Sequence, residues 1–165
     1  MPWGKRSRSE ILENLKHFGN AKVKKLGLDE GEYLCLDGSE IPESIERIKV
    51  EGFGNAELKI SGWAGSLDLI GDLYVKLEDV SDVEINTTRG CIFDCTDCER
   101  VRVIGQSTGR LVMCRNVDLY DLTNTELWFC GQVEAYDSAR FQASKDSRVM
   151  LFDRADGEFY GHSSG

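Results

Sequence analysis

Histidine is scarce in this sequence. The chain has two, His17 and His162, near its opposite ends, so a Ser-His-Asp or Cys-His catalytic group built on either has no support. No apolar run is long enough to cross a bilayer as a helix, which takes roughly 20 residues. The opening stretch MPWGKRSRSE is basic but lacks the apolar segment of a secretory leader. The expected location is therefore cytoplasmic, with the six cysteines as thiols rather than disulfides. A glycine-rich phosphate loop is also missing: GFGNAE at 52–57 has neither the lysine nor the following helix. Threonine ladders of the ice-binding kind are missing too.

Basic residues are few beyond the start. The segment 1–25 holds seven basic and two acidic residues; from totals of 20 and 29, the rest of the chain keeps 13 basic and 27 acidic, a net of −14. An acidic body argues against direct nucleic-acid binding, which needs Lys and Arg on phosphates. It favours a solvated surface or basic partners.

What is present is order. Ser7-Arg8-Ser9-Glu10 fits a capping box, followed by Ile11, Leu12, Leu15 and Phe18 at helical spacing and by Gly19. This predicts one amphipathic helix, about Arg8 to His17, in a capping segment 1–20. LDGSEIPESIERIKV has room for one turn around Glu43 to Glu46. From about Lys22 the segments AKVKKLGL, EYLCL, RIKV, ELKIS, SLDLIG, YVKLEDV and DVEINTT alternate in polarity and end at turn residues.

Written in eights, the later chain repeats: VDLYDLTN, TELWFCGQ, VEAYDSAR, FQASKDSR, VMLFDRAD, GEFYGHSS, from 117 to 164. The first column is Val117, Thr125, Val133, Phe141, Val149 and Gly157. The third is Leu119, Leu127, Ala135, Ala143, Leu151 and Phe159. The fourth is mostly aromatic, with Tyr120, Trp128, Tyr136, Phe152 and Tyr160. Upstream, Leu111, Val103 and Cys95 continue the third column. Leu67, Val75 and Val83 also keep a spacing of eight, with Leu69, Leu77 and Ile85 as their partners. They stand two residues out of register, which calls for an insertion near Asp97 to Arg100. Columns one and three share a strand face, and the last four positions are turn-forming. Units this short bury nothing alone and must stack. The expectation is an all-β, right-handed parallel β-solenoid over 21–165 with an N-terminal amphipathic capping helix, forming a single domain.

The rows around Val133 to Arg140, VEAYDSAR, resemble the V-x-A-Y-D-S-A octapeptide-repeat arrays of bacterial and phage proteins, over about residues 117–164. The resemblance implies a β-solenoid there and carries no catalytic residues. Leu151 and Phe159 are bulkier than the alanine usual in such rows.

Cys91, Cys95 and Cys98 form a C-x3-C-x2-C spacing similar to the cluster motif of radical S-adenosylmethionine enzymes. The residue before the third cysteine is Asp97 where that family has an aromatic, and the helices of a βα barrel of roughly 200 residues are missing. A structural zinc needs four paired ligands, and the fourth would have to come from Cys114 or elsewhere. The spacing of Cys98, Cys114 and Cys130, sixteen apart, has a simpler reading: one coil of sixteen residues, rather than twenty-four, stacks them as small buried apolar side chains. No metal and no cofactor are expected.

Acidic residues recur at Asp118, Asp121, Glu126, Glu134, Asp137, Asp153 and Glu158. Two of them could serve a glycosidase-like reaction, but outward polar positions at a period of two account for them. CTDCERVRV resembles the β-helical tubulin-cofactor-C-like domain, whose activity rests on an arginine in Q-x-R; here Gln132 is followed by Val133 and Glu134.

The function expected is a non-enzymatic structural or protein-interaction module. Its candidate interaction residues are Phe159, Tyr160, Tyr136, Trp128 and Tyr120. EFYGHSS continues the octad register without a closing element, so a homo-oligomer through the C-terminal coil is expected. Two alternatives are a phage-type inhibitor whose acidic rod mimics nucleic acid and a carbohydrate-active β-helix enzyme.

Overall fold

The computed structural model describes residues 22–121, 123–144 and 147–160. The helix expected at Arg8 to His17 lies outside these residues. Among them the chain is all β, with one short 3-10 turn at Gly38–Glu40. That turn falls a few residues before Glu43 because Asp37 caps it: the carboxylate accepts from the Ser39 amide at 2.9 Å while Glu40 reaches back to the Asp37 amide.

Twelve strands form a parallel β-solenoid with two faces. In the first coil β1 (Val23–Leu28) lies on one face and β2 (Tyr33–Asp37) on the other. The next four strands each cross both faces: β3 (Arg47–Ser61), β4 (Gly65–Glu78), β5 (Asp82–Thr96) and β6 (Arg100–Val112). Thereafter each coil uses two short strands. The first face carries β7 (Asn116–Leu119), β9 (Gln132–Ala135) and β11 (Arg148–Leu151). The second carries β8 (Asn124–Trp128), β10 (Arg140–Ser144) and β12 (Asp156–Tyr160).

The coil shortens along the rod. On the first face Val23 pairs with Arg47, a step of twenty-four in the numbering; Arg47 pairs with Ser66, a step of nineteen, and Ser66 with Glu84, a step of eighteen. Arg100, Asn116, Gln132 and Arg148 then follow at steps of sixteen. The sixteen-residue coil read from the cysteines therefore holds for the second half of the chain, and the first coil has twenty-four. The change from eighteen to sixteen falls between Thr87, paired with Gly105, and Cys91, paired with Ser107. The two extra residues thus sit in the corner of β5 and not at Asp97 to Arg100. The upstream columns shift accordingly: Leu67 stacks on Ile85, and it is Gly65 that stacks on Val83.

Alternation explains the packing. In β3 every second residue from Ile48 is buried until the corner, and again from Ala56. The inward columns include Ile48–Leu67–Ile85–Val103–Leu119–Ala135 and Ile60–Leu77–Cys95–Leu111–Leu127–Ala143, all fully buried. Another column pairs large with small: Phe93 lies over Gly109, and Phe141 over Gly157. A Cβ on Gly109 would come within 2.3 Å of the Phe93 ring.

Candidate interaction surfaces

Each octad is half a coil, so vertical neighbours are two octads apart. The single aromatic column of the sequence therefore becomes two, on opposite faces. Tyr120, Tyr136 and Phe152 form one ladder, with ring centroids 4.7 and 4.8 Å apart and planes within 10° of parallel. The Tyr136 hydroxyl donates to the Glu134 carboxylate, and this bond, before any burial, pushes its pKa up to about 12. Trp128 lies on the second face, in register with Ser144 and Tyr160, and is exposed. Phe159 belongs to neither ladder: it continues the inward column of Leu127 and Ala143.

That position makes the last coil unlike the others. Leu127 and Ala143 are fully buried, yet Phe159 is 54% exposed, with one edge-on contact to Phe141 at 5.7 Å. Leu151 continues the column of Leu119 and Ala135 and is 51% exposed. At the opposite end the inward side chains Leu26, Leu28, Leu34 and Leu36 are buried. Among the described residues the inward columns are thus exposed at Leu151 and Phe159.

The corner that leads from the second face to the next coil holds Cys98, Cys114 and Cys130. Its buried column runs Val80, Cys98, Cys114, Cys130, joined by hydrogen bonds that the Arg115 amide donates to the Cys98 carbonyl (3.0 Å) and the Gly131 amide to the Cys114 carbonyl (2.9 Å). Cys95 sits beside them, stacked on Leu111, fully buried as expected. The thiols of Cys114 and Cys130 donate to the carbonyls of Cys95 and Leu111 at 3.7 and 3.4 Å. Burial pushes the Cys91 thiol up to about 11 and holds the Cys95 thiol well above its ordinary value. At Cys114 the neighbouring thiols of Cys130 and Cys98, and then burial, act in the same direction. These three raised thiols are poor nucleophiles, whereas the hydrogen bond with Cys114 lowers Cys98 and Cys130. No disulfide joins the six cysteines, and among the described residues no three His, Cys, Asp or Glu side chains are placed to hold a metal. In a native titration with a thiol-specific chromophore, half-buried Cys35 should react first and the five buried thiols only as fast as the protein opens. Six equally fast thiols would contradict this burial.

One residue earlier in the same corner is a feature that sequence reasoning missed. Gly62, Asp79, Asp97, Met113 and Phe129 stack with positive φ, between 51° and 65°. Gly and Asp tolerate this conformation; Met and Phe do not favour it. Met113 is 51% exposed and Phe129 58%. The signal in the sequence is faint: each of the last four precedes a member of the buried column Val80, Cys98, Cys114, Cys130.

The acidic residues do not converge. Asp121, Asp137 and Asp153 line one corner, also with positive φ. Asp118 and Glu134 stack on the first face, and Glu126 and Glu158 lie on the second, two coils apart. Ion pairs interleave them: Arg102 bridges Glu84 (3.4 Å) and Asp118 (3.8 Å), Arg100 reaches Asp118 (3.5 Å), and Arg110 meets the buried Asp94 at 2.7 Å, where Tyr74 also donates at 3.2 Å. The cleft beside the cysteine corner, about 460 Å³, is walled by Glu43, Glu46, Asp82 and Glu84 with Arg100 and Arg102. Among the described residues no helix is long and apolar enough to cross a membrane. No family model matches the chain, and neither a curated protein nor a solved structure matches it.

Proposed function

We propose that the chain is a non-enzymatic interaction module whose solenoid, coiled right-handed, joins a second copy of itself through the last coil. The uncovered inward columns at Leu151 and Phe159 carry this reading. Exposed core side chains and unpaired strand edges in one place favour association. The ends differ in size: the first coil, from Val23 to its partner Arg47, is half as long again as the last, from Gln132 to Arg148. Stacking one end on the other would set a small cross-section on a large one, so a closed tail-to-tail pair is favoured over a filament.

The edge strands are also self-complementary. With a two-fold axis along the strands, β11 runs antiparallel to the partner subunit's β12. Val149 then faces the partner subunit's Phe159, and Leu151 faces the partner subunit's Gly157, large against small. Met150 faces the partner subunit's Glu158, with Arg148 one step away on the same side. Pairing β12 with itself would instead bring the two Glu158 carboxylates together, which costs energy.

The alternatives have less support. A nucleic-acid mimic needs a long run of unpaired carboxylates; Asp121, Asp137 and Asp153 give three along one corner, but the outward column Arg47, Ser66, Glu84, Arg102, Asp118, Glu134 mixes signs. A carbohydrate-active enzyme needs two carboxylates free to act across a cleft; the acidic residues singled out in the sequence are spread over both faces and a corner, and in the cleft that does gather carboxylates Glu84 is paired with Arg102 and Glu46 with Lys22. Buried thiols fit a reducing compartment such as the cytoplasm.

Analytical ultracentrifugation of the intact chain tests the reading. A concentration-dependent dimer is expected, and Phe159→Lys or Leu151→Lys should return it to monomer with unchanged far-UV circular dichroism. A monomer at high concentration, or a dimer that survives both substitutions, would overturn it.

A further inference from the structure

The cysteine corner carries a second surface, distinct from the last coil. Along it the positions with positive φ change character. Upstream they are Gly62, Asp79 and Asp97, residue types that accept the left-handed region. Downstream they are Met113 and Phe129, at φ 53° and 54°. A bulky side chain there is strained, and strain of this kind persists where something else selects for it. Folding does not use these side chains, because both are more than half exposed. Trp128, beside Phe129, is 44% exposed. Three large apolar groups thus share one projecting ridge.

The other half of the corner is acidic. Asp79, Asp82 and Asp97 have no cation within salt-bridge distance among the described residues. The nearby cations are occupied: Arg100 and Arg102 with Asp118 and Glu84, Arg115 with Glu99 at 3.7 Å. Asp82 also lines the cleft that holds Glu43, Glu46 and Glu84 beside the ion-paired Arg100 and Arg102. From the level of Asp79 to that of Phe129 is three strand steps, or about 14 Å. An extended peptide covers this in about four or five residues.

We infer that this corner docks a linear segment of a partner protein in which lysines or arginines stand a few residues from bulky apolar side chains. The apolar residues meet Met113, Trp128 and Phe129; the cations meet Asp79, Asp97 and the cleft at Asp82. The exposed apolar ridge supplies affinity, and the unpaired carboxylates fix the direction in which the segment lies.

The probe is a synthetic seven-residue peptide, four alternating lysines and arginines followed by leucine, phenylalanine and tryptophan, with an all-basic and an all-apolar peptide as controls. Titration by fluorescence anisotropy should give a dissociation constant on the order of 10–100 μM for the bipartite peptide and at least about tenfold weaker binding for either control. Phe129→Asn should weaken binding about tenfold while leaving the melting temperature unchanged or higher, since Asn accepts positive φ. The pair Asp79→Asn and Asp97→Asn should weaken it severalfold and flatten its dependence on salt. Binding unaffected by Phe129→Asn overturns the inference. So does a fall in melting temperature for that variant, which would give Phe129 a role in folding. A self-associated species abolished by Phe129→Asn would assign the ridge to a second copy and equally overturn it.

Discussion

Deleting residues 116–131, one whole coil, should leave a folded protein, whereas inserting one residue inside a strand should not. The deletion joins Arg115 to Gln132, and Gln132 already occupies the register of Asn116. Val133 then replaces Val117, Ala135 replaces Leu119, and Ala143 replaces Leu127 over the same columns. Phe141 comes to lie over Gly109, which is tolerable because its ring leans toward Gly157 and away from Gly109. The shortened rod loses one coil of stacking and nothing else, as in other repeat proteins. A serine inserted between Thr125 and Glu126 acts differently. Thr125 and Leu127 both point inward from β8, which is flanked by β6 and β10. One extra residue turns one of them outward and leaves a polar group inward. Losing the burial of Leu127 costs about 2–3 kcal/mol, and an unsatisfied polar group costs about 1–3 kcal/mol more. Circular dichroism and thermal melts decide the matter: the deletion should melt cooperatively at a lower temperature, and the insertion should lose the coils around β8. An unfolded deletion variant, or an insertion with wild-type melting, would refute the coil assignment.

Gly109→Leu should be among the most damaging single substitutions. Its Cβ would stand 2.3–2.4 Å from three atoms of the Phe93 ring. Phe93 is 1% exposed and packed between coils, so it has little room to yield. Overpacking of this kind typically costs about 1–3 kcal/mol; the larger side chain at a fixed rung should reach the top of that range. Near the melting point of a chain this size, each 1 kcal/mol lowers the temperature by roughly 2–4 °C. The pair is coupled, so Gly109→Ala should be less damaging in a Phe93→Leu background than in the wild type. Equal effects in both backgrounds would show that the ring is not the obstacle.

The sixteen-residue coil was legible in 100–160 because the corners there are equal. The rows ending Tyr120-Asp121, Tyr136-Asp137 and Phe152-Asp153 turn at the same place, with the aspartate in the left-handed region. Upstream the corner between the faces is longer. Ile85 and Cys95 are ten apart where Val103 and Leu111 are eight, so a search at fixed spacing misaligned Leu67 with Val83. The thiol spacing was read correctly because Cys98, Cys114 and Cys130 lie downstream of that change. The aromatic residues misled because period eight alternates between faces, and only a period of sixteen keeps Tyr120, Tyr136 and Phe152 together. Phe159 could be placed in the inward column of Leu127 and Ala143 from its register alone. Met113 and Phe129 were hard to single out: in a string of letters they look like core, and it is their exposure, together with their positive φ, that shows them turned outward.

The uneven length of the strands bears on how the chain folds. β3, β4 and β5 have 15, 14 and 15 residues and zip onto one another across both faces, whereas strands from β7 onward have four or five. Each coil pairs with the one before it, so order spreads along the rod by short loop closures rather than by a single long-range search. Nucleation is expected in β3–β5, where the most hydrogen bonds form for each closure, and fraying at the short-stranded end. The coil bearing Leu151 and Phe159 is therefore expected to order last, and if a second copy docks there as proposed, that coil would complete its folding as it meets its partner.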